Sequence, residues 1–212
     1  DAMPARRLWL IGIPILIAIG AALLLWRPAE DEQRVSSAPS AGSLTFGGPF
    51  TLVDHTGRPV TEKDFLGRYQ LVFFGFTQCA AVCPTTLQTI SLAMNQLGEL
   101  ADSVQPLFIS IDPERDTAEL LAEYVSYFDK RIVGLTGTPS QVGVAAKAFH
   151  IYYRRVRDKD GSEQIDHTAT MFFMGPDGKY LTFIHPDAAT QKIAQVMKMK
   201  MENSTKMTSR RE

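Results

Sequence analysis

Cysteine is scarce in this chain: there are two in 212 residues, Cys79 and Cys83. Two cysteines exclude a framework of several disulfides. A bond between residues so close would close a tiny loop and restrain the unfolded chain little, so stapling is a poor reason for them. Charge of one sign is also lacking. With 22 basic and 23 acidic residues the net charge is -1, which gives no electrostatic case for nucleic acid. Setting aside Asp1, Arg6, Arg7 and Arg27 leaves a mildly acidic remainder. Histidine occurs four times, and no internal repeat is visible. The rest is ordinary, at 45% hydrophobic and 21% charged, and the length suits one well-buried domain plus appendages.

One long apolar run stands out at residues 8–26, LWLIGIPILIAIGAALLLW, with no charge in it. Its length matches the roughly 20 residues needed to cross a bilayer. Trp9 and Trp26 lie near its ends, where indoles favour the membrane interface, and Pro14 is tolerated in a membrane helix. A cleaved signal peptide is the other reading. The run exceeds a usual signal core, and the nearest small-residue site, Ala38-Pro39-Ser40-Ala41, lies far downstream. Arg6 and Arg7 precede the span and Arg27 follows it, which puts residues 1–7 in the cytoplasm and the domain outside. With no room ahead of the span for an Arg-rich transit peptide, the expectation is a single-pass bacterial inner membrane protein facing the periplasm. Residues 27–46, rich in Ala, Ser and Pro, read as a flexible linker.

From Gly47 the pattern becomes globular, and the domain is expected over residues 47–201 with a polar tail at 202–212. Short strands at 49–53 and 59–61 flank a turn at Asp54-His55-Thr56-Gly57. Apolar runs at 71–76 and 106–111 suit strands buried on both faces. Pro84 opens a helix to about residue 100, with Leu87, Ile90, Met94 and Leu97 on one stripe. Helices at 117–128 and 139–149 alternate with strands at 132–135 and 151–156. Strands at 169–174 and 180–184 form a hairpin around Pro176-Asp177-Gly178, and a helix from 188 to about 201 closes the domain. This α/β alternation, closed by a hairpin and a helix, predicts a thioredoxin-like fold with an N-terminal β-hairpin addition, preceded by one transmembrane helix.

Cys79-Ala80-Ala81-Val82-Cys83-Pro84 lies between a buried strand and the helix that follows. A helix start offers unpaired N–H groups and partial positive charge, which favour thiolate over thiol. Thiolates serve both disulfide exchange and metal ligation, and a soft pair suits Cu(I). Three intervening residues let both sulfurs face one ion. A third donor would have to be histidine. His55 reads as a turn residue, His150 as a helix-end residue, and His185 follows the last strand. His167, just before the C-terminal hairpin, faces the Cys-bearing helix in a thioredoxin-like sheet, so it can reach the sulfurs. From spacing alone, a lone His before a strand is more often an ordinary loop residue than a ligand.

The stretch Phe74-Gly75-Phe76-Thr77-Gln78-Cys79-Ala80-Ala81-Val82-Cys83-Pro84 resembles the copper-site motif of the Sco/SenC family. Ile109-Ser110-Ile111-Asp112-Pro113-Glu114-Arg115-Asp116-Thr117 resembles its second signature. Gly134-Leu135-Thr136-Gly137-Thr138, Ala148-Phe149-His150-Ile151-Tyr152-Tyr153 and Asp166-His167-Thr168 follow in the family's order. The resemblance covers about residues 47 to 197. It implies a membrane-anchored copper chaperone, or a thiol reductase, that helps assemble the dinuclear copper centre of cytochrome c oxidase subunit II. It further implies copper, as Cu(I) and Cu(II), held by Cys79, Cys83 and His167, with Cys79 and Cys83 also a redox-active pair. Other periplasmic copper chaperones or thioredoxin-like reductases, and the inner membrane itself, are the further partners implied. One departure is Ala80, where the family usually has proline.

Three rival readings differ in chemistry. A thiol-disulfide oxidoreductase would use Cys79 and Cys83 without His167. A peroxiredoxin would carry Thr or Ser three residues before its reactive Cys, where this chain has Ala80. A redox or copper sensor would use the same ligands as a chaperone. Asp166 reads either as an orienting partner for the imidazole or as a loop residue. Asp112, Arg115 and Asp116 read as a partner-facing or loop-bracing cluster, with bracing favoured. Met197, Met199, Met201 and Met207 could offer Cu(I) thioethers, but as helix-face filler they need no metal.

Overall fold

The computed structural model describes residues 45–157 and 163–208. The expected span and most of the linker lie outside the described residues. Among those described, no helix is long and apolar enough to cross a membrane.

Among the described residues nine strands and four α-helices follow one another. β1 (Thr51–Asp54) and β2 (Pro59–Thr61) form a hairpin, then β3 (Tyr69–Gly75) leads to α1 (Val82–Leu97). β4 (Val104–Ser110), α2 (Ala118–Ser126), β5 (Val133–Thr136) and α3 (Pro139–Ala148) complete the alternation. β6 (Tyr153–Arg157) and β7 (Glu163–His167) form a separate ribbon. β8 (Met171–Met174), β9 (Tyr180–Ile184) and α4 (Thr190–Thr208) follow. The main sheet has the order β2-β1-β5-β4-β3-β8-β9. β3, β4 and β5 run parallel at its centre, while the opening hairpin and the β8–β9 hairpin join antiparallel on either side. The expected hairpin addition is therefore an extension of the sheet through β5.

Alternation along the central strands divides the core in two. Leu71 and Phe73 face α1, α2 and α4, where Leu87, Ile90, Met94, Leu121, Ile193 and Met197 are buried. Val72 and Phe74 face α3 and the opening hairpin, against Leu52, Val142 and Ala145. Burial on both faces explains why β3 and β4 read as continuous apolar runs.

Two helices are fixed by side-chain caps. Thr117 accepts the Leu120 N–H, and Thr138 with Gln141 forms a reciprocal capping box ahead of Pro139. The turn between β8 and β9 needs Gly178, whose φ of 74° is the left-handed region a Cβ disfavours. The last helix continues past the expected end near residue 201 to Thr208. Met197 and Met201 are core residues on it, while Met199 is half exposed, which is the ordinary pattern of a helix face. The side chain of Met207 is outside the described residues.

A candidate metal centre at the start of the first helix

β3 delivers the chain to the sheet's end, and a turn in which the Cys79 N–H donates to the Phe76 carbonyl (3.3 Å) brings it to α1. The helix begins at Val82 rather than at the expected Pro84, so Cys83 lies within its first turn. Pro84 is tolerated there because the first helical N–H groups lack partners anyway. Both cysteines are free thiols; Cys79 is partly exposed and Cys83 fully buried. The Cys83 backbone N–H donates to the Cys79 sulfur at 3.4 Å. Gly75 makes room for this arrangement: a Cβ there would stand 2.8 Å from both the Cys83 sulfur and the Phe108 ring.

Burial pushes the Cys83 thiol well above its ordinary range, with a smaller upward push from Cys79. This corrects the expectation that the helix start would favour the thiolate at both positions. At Cys83 desolvation is the larger effect. A soft cation that accepts thiolates would supply the missing positive charge.

The preceding loop is fixed by a buried anion. Asp116, with no exposed surface, accepts the Thr77 N–H (3.0 Å) and hydroxyl (2.6 Å) and the Ser110 hydroxyl (2.6 Å). The Thr136 hydroxyl donates to the Asp116 carbonyl at 2.8 Å. Asp112, equally buried, pairs with Arg115 and, at 2.6 Å, with Arg155 of β6. The acidic cluster is thus a brace.

His167 ends β7, paired with Tyr153, where a loop was expected. Its ring meets Phe76 edge-on, with centroids 6.0 Å apart, and its Nδ1 lies 3.2 Å from the Thr168 carbonyl. An Nδ1–H donated to that carbonyl leaves Nε2 with a free lone pair, the usual arrangement of a metal-binding imidazole. Burial lowers the His167 pKa, opposed by the Thr168 carbonyl and Asp166. Asp166 pairs with Arg154 across the ribbon (3.2 Å), so orientation of the ring falls to Thr168.

The structure brings the two cysteines together at the start of α1, and His167 lies against Phe76, three residues before Cys79. Among the described residues no three His, Cys, Asp or Glu side chains form a closed metal-holding group. The other histidines lie elsewhere. His55 accepts the Gly134 N–H through Nδ1 at 3.1 Å, a structural role rather than the solvated turn expected. His150 takes a positive φ of 55° after α3, and His185 is exposed beside Asp187.

Two contributors escaped the sequence reading. Gly75 was one more residue of an apolar strand. Tyr124, from α2, buries a hydroxyl that has no hydrogen-bond partner. Burial raises its pKa, with Cys83, Cys79 and Asp116 adding to the push. Its ring contacts Phe108, which shares the space over Gly75 with the Cys83 sulfur.

The SCO1/SenC family model matches residues 38–202. The human mitochondrial SCO1 homolog is 38% identical over 190 residues, which cover 86% of this chain and 63% of that protein. Protein SenC of Rhodobacter capsulatus is 34% identical, over 86% of this chain and 83% of its own length. The crystal structure of Arabidopsis thaliana ScoI with copper bound superposes with a TM-score of 0.71, at 32% identity, covering 74% of this chain and 99% of that one. The fold also matches BsSco, a member of the Sco family of cytochrome c oxidase assembly proteins with an identified disulfide switch (TM-score 0.59, 24% identity, 74% of this chain and 93% of that one). The family model spans more than half of the chain and the copper-bound relative shares its fold, and the chain belongs to the SCO1/SenC family.

Proposed function

We propose that this chain is a membrane-anchored copper chaperone that holds copper through Cys79, Cys83 and His167. Its task is to help metallate the dinuclear copper centre of cytochrome c oxidase subunit II. The observation that carries the reading is the pair of free thiols at the start of α1, where the Cys83 N–H donates to the Cys79 sulfur, with His167 against Phe76, three residues before Cys79. Copper is the cargo here. Two soft sulfurs suit Cu(I), and the borderline imidazole nitrogen is the donor that Cu(II) needs in addition. The partly exposed Cys79 is the ligand a recipient can reach, and the buried Cys83 is the one that retains the ion. Ligation by all three requires the imidazole to close from Phe76 toward the sulfurs.

Residues 8–26 anchor the protein in a bacterial inner membrane, with 1–7 in the cytoplasm and the domain in the periplasm. A topology reporter fused after Ser43 should be active only when the periplasm is its location; cytoplasmic activity would overturn the anchor's orientation.

The second reading is a thiol-disulfide reductase acting on cysteines of the same subunit, favoured by the hydrogen bond that brings the Cys83 backbone to the Cys79 sulfur and by the disulfide switch of BsSco. His167→Ala separates the two, since exchange between thiols and disulfides needs no imidazole. Under copper limitation, a strain expressing His167→Ala at normal levels should assemble oxidase poorly. Full oxidase activity would favour the reductase.

A further inference from the structure

The β6–β7 ribbon that ends in His167 is hydrogen-bonded as a sheet of its own, outside the seven-stranded sheet. Something must therefore set its position against the cysteine loop. Ile165 supplies an apolar anchor, being buried in the core beneath α3. Arg155, its cross-strand partner in register, supplies a charged one. Its Nη2 lies 2.6 Å from the Asp112 carboxylate and 2.7 Å from that of Glu114. Two positions along the same strand, Tyr153 pairs with His167.

The other end of this contact leads to the cysteines. The Asp112 N–H donates to the Ser110 hydroxyl oxygen at 3.0 Å, and that hydroxyl donates to Asp116 at 2.6 Å. Asp116 in turn accepts both hydrogen bonds from Thr77, two residues before Cys79. A buried carboxylate is costly unless fully partnered, so each of these anions holds its partners firmly.

We propose that the loop carrying Asp112 and Asp116 is a two-armed brace that sets the spacing between the thiol pair and His167, and that Arg155 is the positioning residue through which the ribbon is held. The inference rests on the copper reading for its purpose. The Asp116 arm fixes the cysteine loop, and the Asp112–Arg155 arm fixes the root of the His167 ribbon. Only the imidazole then has to move when an ion binds. Arg155 acts through the ribbon. Its Nη2 reaches Asp112 and Glu114 together, so lysine, which keeps the charge on a differently shaped head, restores only part of the contact.

Arg155→Met tests this, because Met keeps an apolar stem and Arg115 still neutralises Asp112. In the metal-free protein, amide exchange of β6 and β7 should rise roughly ten-fold while that of β3 and β4 stays unchanged, an opening easier by about 1.4 kcal/mol. Cu(II) affinity should fall roughly ten-fold, the usual size for an outer partner of a ligand. The Cys79–Cys83 midpoint potential should not move, and Arg155→Lys should recover part of both losses. Unchanged ribbon exchange in Arg155→Met would overturn the brace whatever the metal does. So would Cu(II) affinity equal to the parent's where His167→Ala binds more weakly. If the parent and His167→Ala bind copper alike, it is the copper reading that falls, and the exchange measurement still decides the brace. Should Arg155→Met fail to fold, Arg155→Lys carries the same comparison.

Discussion

Asp116 and Thr77 are joined twice, through the Thr77 backbone N–H at 3.0 Å and its hydroxyl at 2.6 Å, across 39 residues of sequence. Because Asp116 is fully buried, these bonds and the one from Ser110 decide whether the cysteine loop is ordered. Asp116→Ala leaves those donors unpaired and should cost about 3 kcal/mol in urea unfolding, with Asp116→Asn recovering part of it. Parent-like stability in the Ala variant would mean that the loop holds its shape unaided.

Gly75 and Cys83 give a second test. A Cβ at position 75 would overlap both the Cys83 sulfur and Phe108, each at 2.8 Å. Gly75→Ala should destabilise the domain by about 1–3 kcal/mol, the usual cost of overpacking. The same variant should label faster at Cys83, since the sulfur must move. A neutral substitution with an unreactive Cys83 would show that the space is larger than the geometry implies.

The two thiols should differ in reactivity. Cys79 is partly exposed, whereas Cys83 is buried and its pKa is pushed up by that burial. At neutral pH iodoacetamide should label Cys79 at least ~10 times faster in the metal-free, reduced protein, because the thiolate is the attacking species. Mass mapping of partial labelling would read this directly. Equal labelling would contradict the buried position of Cys83.

His167 predicts a pH dependence of known sign. Burial lowers its pKa below the ordinary value of about 6.5, so between the two values the unfolded chain binds more protons than the folded one. Stability from this group is complete above about pH 6.5 and is lost as the pH falls toward the lower folded value. Urea midpoints of the parent should therefore drop more steeply from pH 7 to 5 than those of His167→Gln. Parallel profiles would mean that the imidazole is solvated.

The parts of the fold that sequence made legible were those with a strong local signal. The apolar runs of β3 and β4 are buried on both faces and cannot be mistaken for surface. The hairpins announce themselves in turns such as Pro176-Asp177-Gly178. β7 left no such signal. Glu163-Gln164-Ile165-Asp166-His167 has one apolar residue, Ile165, too few for a strand pattern, and His167 was therefore expected in a loop. The thiol pair was legible because its chemistry is local to five residues. Gly75, Tyr124 and Arg155 matter only through contacts with segments distant in sequence, which no local pattern encodes. Local reading also overstated the helix start, since it could not weigh the burial of Cys83 against the dipole.

The central claim is that Cys79, Cys83 and His167 hold one copper ion. The most direct test is the copper retained per chain by the reduced soluble domain after dialysis, compared between the parent and the Cys79→Ser/Cys83→Ser variant. The account predicts one copper per parent chain and none held tightly by the double variant, with His167→Ala keeping Cu(I) in part and losing Cu(II) more completely. Equal retention by the parent and the double variant would contradict it.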